Sequence, residues 1–254
     1  MKIIVIGGRG LVGRNIVDRL RAAGHQVSSA SRSTGVDLIT GQGLVESLVG
    51  AEVVIDVSNS PTFDDLASFD FFKTAIFNLL AAEKRAGVKH HVSLSVVGTG
   101  RLEASPYLRG KALQERVMAA SGVPFTIVHA TQFFEFLFDI VNYAIRGQTI
   151  RLSPAFIEPV ASDDVAATIA RVAVGAPLNG PIEVAGPQRA RMSELIQRLV
   201  IDMEAPYEVR ADVHAAYFGA VLDEYALLPG KDAERGELDF AAWFECSEYA
   251  RADW

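Results

Sequence analysis

The chain has 254 residues with a formal net charge of −7, and half of its residues are hydrophobic, as in globular proteins. This acidic balance, without a stripe of basic and aromatic residues, argues against direct binding of nucleic-acid phosphates. Cys246 is the only cysteine and the five histidines show no metal-ligand spacing, so an intrachain disulfide is excluded and no metal is expected.

The first predicted elements are a strand, a glycine turn and a helix. An apolar run at residues 3–6 leads into Gly7, Gly10 and Gly13, and apolar residues then recur at helical spacing. The first glycine permits a tight turn, the second lets the backbone approach a pyrophosphate, and the third brings the helix close to the strand. The N–H groups at the start of the helix then face the phosphates. The turn is therefore predicted to bind a dinucleotide.

Strand and helix signals alternate from here to residue 128. Strands are predicted at residues 26–30, 53–57, 91–94 and 125–128, and helices at about 44–49, 65–86 and 106–120. Such alternation implies right-handed crossovers and a parallel sheet with helices on both faces. The predicted fold class is α/β, a doubly wound parallel sheet of the Rossmann type.

The pattern changes after residue 128. Helices are predicted at about 132–144, from Ser162, at 191–201, at 212–225 and around 240–249, with short strands at 149–152, 159–160 and 181–184. These pieces look too dispersed to form an independent core. We therefore predict one domain over residues 1–254, in which residues from about 130 onward form a small C-terminal, substrate-side subdomain over the carboxyl ends of the sheet.

The end of the second strand indicates which dinucleotide binds. An NAD site usually has an acid there for the ribose 2′-hydroxyl, whereas this chain has Ser31 and Arg32 and no acid before Asp37. Arginine beside hydroxyls suits a 2′-phosphate, and Arg9 is placed to supply a second guanidinium, so we predict NADP(H) rather than NAD(H). The alternative is that both arginines are solvated loop charges. Three residues that end the third strand are predicted to border the cofactor: Val57, Ser58 and Asn59.

Tyr107 and Lys111 are candidates for the chemistry. They are four residues apart at the start of a predicted helix and so share one face. Beside a nicotinamide, the ammonium lowers the phenol pKa and holds the ribose hydroxyls, while the phenol gives or takes the carbonyl proton. Ser95, just past an apolar strand, is predicted to bind the same substrate oxygen, with Ser93 on the other face of the strand. The alternative is an exposed tyrosine and lysine without a role.

The chain resembles the short-chain dehydrogenase/reductase superfamily, and within it the atypical, NmrA-like branch. The glycine turn, residues 87–98, the Tyr107/Lys111 pair and residues 121–128 carry the resemblance, and residues 160–166 and 184–187 extend it to the C-terminal half. The branch includes NADPH-dependent quinone reductases, isoflavone-reductase-like enzymes and redox-sensing regulators.

The resemblance implies roles for individual residues. The pyrophosphate would be held by Gly7, Gly10, Leu11, Val12 and Gly13. Arg32 would read the 2′-phosphate, Lys111 would hold the nicotinamide ribose, and Ser95 and Tyr107 would occupy the catalytic positions. Where many relatives have Arg-Pro beside the nicotinamide, this chain has His129-Ala130, followed by Thr131, which we also place at the cofactor. His129 either contacts the carboxamide or substrate, or is structural.

Aromatic residues follow this departure from the family pattern. On a helix, Phe133, Phe134, Leu137 and Phe138 would share a buried face. Phe136 would point elsewhere and line an apolar pocket that suits a flat aromatic or quinone substrate.

Three functions remain open. The first is an NADP(H)-dependent oxidoreductase that passes a hydride between the nicotinamide and a carbonyl or quinone, with Tyr107 as proton donor. The second is a redox-sensing regulator that binds NADP(H) without catalysis and needs the glycines and Lys111 but not Tyr107. The third is a nucleotide-sugar epimerase or dehydratase, which Ser31-Arg32 disfavours because such enzymes generally hold NAD tightly.

The expected partners and location follow from the same features. We expect a small-molecule carbonyl or quinone substrate, with neither nucleic acid nor membrane as a partner. The first strand begins at Lys2 without a signal-peptide pattern, and polar residues interrupt the apolar stretch at 127–145, so the expected location is cytoplasmic. The C-terminal aromatic residues Trp243, Phe244, Tyr249 and Trp254 form either a homodimer surface or a covering helix.

Overall fold

The computed structural model describes residues 1–63 and 66–251. The predicted helix start at residue 65 and Trp254 lie outside the described residues. The strands are β1 (Lys2–Ile6), β2 (Gln26–Ala30), β3 (Val53–Asp56), β4 (His90–Val96), β5 (Phe125–Ala130), β6 (Ile145–Arg146), β7 (Thr149–Leu152), β8 (Phe156–Ile157), β9 (Gly180–Ala185), β10 (Ala190–Arg191), β11 (Glu208–Ala211), β12 (Ala216–Tyr217), β13 (Ala220–Val221) and β14 (Glu234–Arg235). The α-helices are α1 (Leu11–Ala22), α2 (Leu44–Ser47), α3 (Leu66–Ala86), α4 (Pro106–Ala119), α5 (Leu137–Ala144), α6 (Ser162–Ala173), α7 (Met192–Asp202) and α8 (Phe240–Cys246).

One parallel sheet of seven strands organises the fold, in the order β2-β1-β3-β4-β5-β9-β14. The chain moves outward from β1 to β2 and then returns to place β3 on the other side of β1. This reversal makes a switch point between β1 and β3, and ligands of such sheets bind at the carboxyl ends of the strands there. The predicted doubly wound Rossmann-type fold is confirmed.

The two faces of the sheet are covered because β1 alternates its side chains. Ile3 and Val5 pack with α1 and α6, whereas Ile4 and Ile6 pack with α2 and α3 on the other face. All four side chains are at most 2% exposed. Long helix α3 lies beside α4 on this second face, where α4 brings Tyr107 and Lys111 to the carboxyl ends of the strands.

The C-terminal segments differ from the prediction in three places. The strand predicted at 159–160 is only an isolated bridge between Val160 and Phe133, and β8 forms at Phe156–Ile157 instead. The helix predicted at 132–144 begins only at Leu137, because Phe134 N–H donates to the Val160 carbonyl at 3.0 Å and residues 134–136 form a turn. No helix forms at 212–225, where β12 and β13 make a hairpin instead. Phe218 and Gly219, at φ values of 45° and 91°, turn this hairpin. A helix cannot accommodate two successive residues in this left-handed region.

The apolar side chains of these segments gather in one buried cluster, which also includes Leu102 and Leu108 from the first half of the chain. Leu137, Ile157, Ile196, Phe240 and Trp243 belong to a separate cluster of buried apolar side chains beside the sheet. The predicted covering role of the C-terminal aromatics therefore fits Trp243, which is 8% exposed. Among the described helices, none is both long and apolar enough to cross a bilayer.

Candidate functional site

A cavity of about 330 Å³ lies at the carboxyl ends of β1, β3, β4 and β5. Eleven of the predicted site residues line it: Gly10, Leu11, Val12, Gly13, Val57, Ser58, Asn59, Ser95, Tyr107, Lys111 and Thr131. The structure thus brings together residues from the glycine turn, three strand ends and α4. This is the switch-point position at which doubly wound sheets bind nucleotides.

The glycine turn holds α1 against β1 and opens its N-terminus to the cavity. Gly7 has φ +75°, and Gly10 N–H donates to the Gly7 carbonyl at 2.9 Å. A Cβ on Gly13 would lie 2.3 Å from the Gly7 oxygen, so only glycine permits this approach. Because Leu11, Val12 and Gly13 line the cavity, the first turn of α1 fits a pyrophosphate.

The polar residues predicted to read the 2′-phosphate meet beside the end of β2. The Arg9 guanidinium donates to Ser33 Oγ at 3.2 Å, and Ser31 Oγ lies 2.9 Å from the same atom. Arg32 begins a short 3₁₀ turn, Arg32–Thr34, and is exposed. None of Arg9, Ser31, Arg32 and Ser33 is among the described lining of the cavity, so these four predicted or neighbouring residues lie outside it, beside the end of β2.

Lys111 is buried beside the cavity at 3% exposure. Its Nζ donates to the Leu94 carbonyl at 2.7 Å and to Gln114 Oε1 at 2.6 Å, and lies 4.7 Å from the centre of the Phe72 ring. Burial lowers the pKa of Lys111 to about 8, although the charges of Asp56 and Glu115 favour its protonated form. A fraction of the Lys111 side chains therefore loses the ammonium proton at mildly alkaline pH.

Tyr107 faces the cavity from the same helix but is not paired with Lys111. Its hydroxyl donates to Asn59 Oδ1 at 2.9 Å, and the Phe72 ring meets its ring edge at 5.2 Å. Burial, followed by the nearby Tyr217, raises the pKa of Tyr107 above its ordinary value. The expected lowering of this pKa by Lys111 was wrong, because the ammonium donates to Leu94 and Gln114 and burial dominates.

Ser95 and His129 share the carboxylate of Glu115. Ser95 Oγ donates to Glu115 Oε1, and His129 Nε2 lies 3.0 Å from that atom. Burial alone would raise the pKa of Glu115, but these hydrogen bonds hold it below its ordinary value. His129 thus pairs with Glu115 and is not among the described lining of the cavity. Ser93 lies on the same face as Ser95, because residues two apart on a strand point the same way, so the expected opposite orientation was wrong.

An aromatic wall completes the cavity. Phe63 lies 5.2 Å from Tyr107, 5.3 Å from Phe136 and 5.3 Å from Phe218, measured between ring centres. Phe136 lines the cavity as expected, but Phe133 lines it as well and is not part of a buried helix face. Phe218 could not be identified as a lining residue from the sequence, apart from the glycine that follows it, because its position depends on the β12–β13 hairpin.

The carboxylates of Glu135 and Asp139 and the buried amide of Gln132 line the part of the cavity formed by residues that follow β5. Glu135 accepts a hydrogen bond from Ser162 Oγ at 2.5 Å, and partial burial raises the pKa of Asp139. The amide of Gln132 is buried and makes no hydrogen bond of normal geometry. Burial raises the pKa of Tyr217, and the nearby Gln132 amide offsets part of that rise. Lys111 is the only basic residue among the described lining. The described residues include no group of three or more candidate metal ligands.

The chain is similar to a known family of nucleotide-binding proteins. A family model described as NAD(P)H-binding matches residues 7–174, more than half of the chain. The photosystem II assembly factor Ycf39 of Cyanophora paradoxa is 28% identical over 57% of this chain and 49% of its own length. The (4-alkanoyl-5-oxo-2,5-dihydrofuran-3-yl)methyl phosphate reductase of Streptomyces griseus is 31% identical over 52% and 48%. The chain thus spans about half the length of these curated relatives.

Solved structures share the fold at lower sequence identity. The NADPH-dependent quinone oxidoreductase QOR2 of Escherichia coli, complexed with NADPH, has a TM-score of 0.65, 17% identity and coverage of 83% of this chain and 78% of its own. UDP-glucose 4-epimerase of Thermus thermophilus, complexed with NAD, has a TM-score of 0.67, 18% identity and coverage of 95% and 91%. The predicted resemblance to the short-chain dehydrogenase/reductase superfamily is confirmed at the level of fold. Because the family model matches residues 7–174, a range that spans the glycine turn, Tyr107 and Lys111, the chain belongs to the family of NAD(P)H-binding proteins.

Proposed function

We propose that the protein is an NADPH-dependent reductase of a neutral, flat quinone or carbonyl compound. One observation supports this most strongly: a single cavity joins the pyrophosphate-binding turn, Lys111, the Tyr107 hydroxyl and an aromatic wall. A cofactor bound along α1 would place its reactive ring beside the phenol and the aromatic side chains. Substrate and cofactor would then meet in one water-poor space.

The chain's own residues fit three tasks in this reaction. A reduced nicotinamide supplies the hydride when it is bound. Lys111 holds the ribose hydroxyls, and Tyr107 donates its O–H to the substrate oxygen. The raised pKa of Tyr107 keeps this proton on the phenol at neutral and mildly alkaline pH. Phe63, Phe136 and Phe218 exclude water from the substrate.

NADPH is favoured over NADH by the edge at the end of β2. Replacing Arg32 by glutamate, Arg32→Glu, should weaken NADPH binding about 10- to 100-fold, since a charge-assisted contact to the 2′-phosphate becomes repulsive. NADH binding should stay within about threefold, because NADH lacks that phosphate. Titration of cofactor fluorescence measures both affinities. Arg85→Glu gives the same charge change at an exposed position near the end of α3 that is not part of the cavity lining, and it should leave both affinities unchanged. Equal losses for NADPH and NADH in Arg32→Glu would refute the assignment.

The substrate should be neutral because Glu135 and Asp139 line the cavity. An anionic substrate would be repelled, so naphthoquinone should be reduced with a kcat/KM at least about 10-fold above that of its sulfonated derivative. In Glu135→Gln/Asp139→Asn this preference should shrink, with the gain confined to the sulfonated compound. Asp18→Asn, at an exposed position on α1, serves as the charge control. NADPH oxidation measured for both quinones decides the question, and an unchanged ratio in the double variant would count against a neutral substrate.

The decisive experiment for the proposed function is NADPH consumption against a panel of quinones and carbonyl compounds. Turnover that depends on added NADPH is expected. A regulator without catalysis is the second candidate, favoured by the pairing of Tyr107 with Asn59 rather than Lys111 and by the similarity to an assembly factor. NADPH binding without consumption of any panel member would favour that regulator.

A further inference from the structure

A chain of buried side chains leads from the end of β3 to Lys111. Gln114 Nε2 donates to Asp56 Oδ2 at 2.8 Å, and Lys111 Nζ donates to Gln114 Oε1 at 2.6 Å. Asp56, Gln114 and Lys111 are 2%, 1% and 3% exposed, so water competes little with these bonds. The sequence pattern that identified Tyr107 and Lys111 did not identify Asp56 or Gln114.

The two hydrogen-bond partners of the Gln114 amide, Asp56 and Lys111, determine its orientation. An ionised carboxylate only accepts hydrogen bonds, so the amide nitrogen must face Asp56 and the amide oxygen must face Lys111. Asp56 is itself held, because its Oδ1 accepts from the Ser58 N–H at 2.9 Å. Asp56, at the end of β3, therefore determines that Gln114 presents its amide oxygen to the Lys111 ammonium.

Two acceptors in the described residues bind Lys111, namely the Leu94 carbonyl and Gln114 Oε1. An ammonium has three N–H donors, so a third remains for another partner, and Lys111 belongs to the lining of the cavity. The Phe72 ring packs against the ammonium at 4.7 Å and limits its other positions. With two donors fixed, the direction of the third is fixed too.

The charges around Lys111 act in opposite directions. Asp56 on β3 and Glu115 on α4 favour the ammonium, whereas burial disfavours it and lowers the pKa of Lys111 to about 8. His91 on β4 is electrostatically coupled to both Lys111 and Asp56. The face of α3 presents the uncharged Phe72 ring. Asp56 therefore contributes both to the geometry and to the charge of Lys111.

We propose that Asp56 and Gln114 are positioning residues that keep the Lys111 ammonium protonated and aim its third N–H into the cavity. The inference rests on the proposed function, in which that N–H holds the nicotinamide ribose. Neither residue touches the cofactor in this role. Both act through Lys111.

Asp56→Asn tests the orientation of the amide. The new amide at position 56 keeps its oxygen on the Ser58 N–H and turns its nitrogen toward Gln114, so the Gln114 amide flips and presents its nitrogen to Lys111. The pKa of Lys111 should fall by about one unit. NADPH affinity at neutral pH should fall by roughly 10-fold, because fewer Lys111 side chains are protonated and because the third N–H is no longer fixed once the Gln114 acceptor is lost. NMR of lysine labelled with ¹³C at Cε follows the ionisation, with the Lys111 signal assigned through Lys111→Arg. Cofactor fluorescence gives the affinity.

The double variant Asp56→Asn/Gln114→Glu should restore both measurements. The new amide at position 56 donates to the new carboxylate at position 114, which again offers an oxygen to Lys111, and the net charge is unchanged. Recovery to within about threefold of the original NADPH affinity is expected. Asp18→Asn/Gln26→Glu exchanges the same residue types at exposed positions and should change nothing.

The outcomes separate this inference from the proposed function. If Asp56→Asn is folded, with an unchanged melting temperature, but the ionisation of Lys111 does not move, the positioning role is overturned. Failure of the double variant to restore the ionisation overturns it as well. If the ionisation shifts and is restored as expected while even the unaltered protein fails to bind NADPH, the positioning of Lys111 stands and the proposed cofactor role fails.

Discussion

Gly13→Ala is expected to weaken NADPH binding by about 10- to 100-fold, one of the two largest effects we predict for a single substitution. The added Cβ would lie 2.3 Å from the Gly7 oxygen and 2.7 Å from Gly8 Cα, both backbone atoms that have no rotamer to move away. The start of α1 must therefore shift from β1, which turns its first N–H groups away from the pyrophosphate. Titration of NADPH fluorescence measures the loss.

A second glycine distinguishes this effect from a general loss of stability. Gly100 is exposed, and a Cβ there would meet no heavy atom within 4 Å, so Gly100→Ala should keep both the melting temperature and the NADPH affinity. Gly13→Ala should lower the melting temperature by a few degrees and remain folded. A Gly13→Ala protein that binds NADPH normally would show that α1 does not form the pyrophosphate site.

The parts of the fold that were predictable from sequence depend on local signals. β1, the glycine turn and α1 are specified by neighbouring residues, and β2 was predicted with its observed bounds, Gln26–Ala30. The sequence did not predict the C-terminal hairpin because Phe218 takes a positive φ there. This strained conformation is stabilised by packing against Phe63, Phe136 and Tyr143, which are distant in the sequence. The predicted helix there had suitable apolar spacing, but tertiary contacts override such a preference.

The site shows the same division between local and long-range information. Tyr107 and Lys111 were recognisable because their spacing on one helix is a local property. The contact of Gln114 with Asp56 joins residues 58 positions apart, and the contact of Tyr107 with Asn59 joins residues 48 apart, so neither has a sequence period. Buried hydrogen bonds of this kind appear only when the sheet order is known. The bonds of Lys111 to Leu94 and Gln114 keep its ammonium from pairing with Tyr107, and burial raises the pKa of the phenol instead of the expected lowering.

Tyr107→Phe is expected to lower kcat by about 100-fold with a carbonyl substrate, while changing NADPH affinity by less than about threefold. The substitution removes the proton donor but leaves the ring contacts with Phe63 and Phe72. Asn59, which now accepts from the phenol, loses one partner at an exposed position, so the stability should change little. Steady-state kinetics with saturating NADPH, together with cofactor titration, checks both parts.

The pH profile separates the phenol from the ammonium. Because burial lowers the pKa of Lys111 to about 8, its protonated form is present below that pH and is lost above it, so kcat/KM should fall as the pH rises through about 8. Tyr107 has a raised pKa and stays protonated over this range, so Tyr107→Phe should keep the alkaline limb at a lower overall rate. Lys111→Arg should move the limb to higher pH, since a guanidinium does not titrate there. If the limb disappears in Tyr107→Phe and persists in Lys111→Arg, the phenol is the titrating group, and the separation of Tyr107 from Lys111 in this site is not maintained when the cofactor binds.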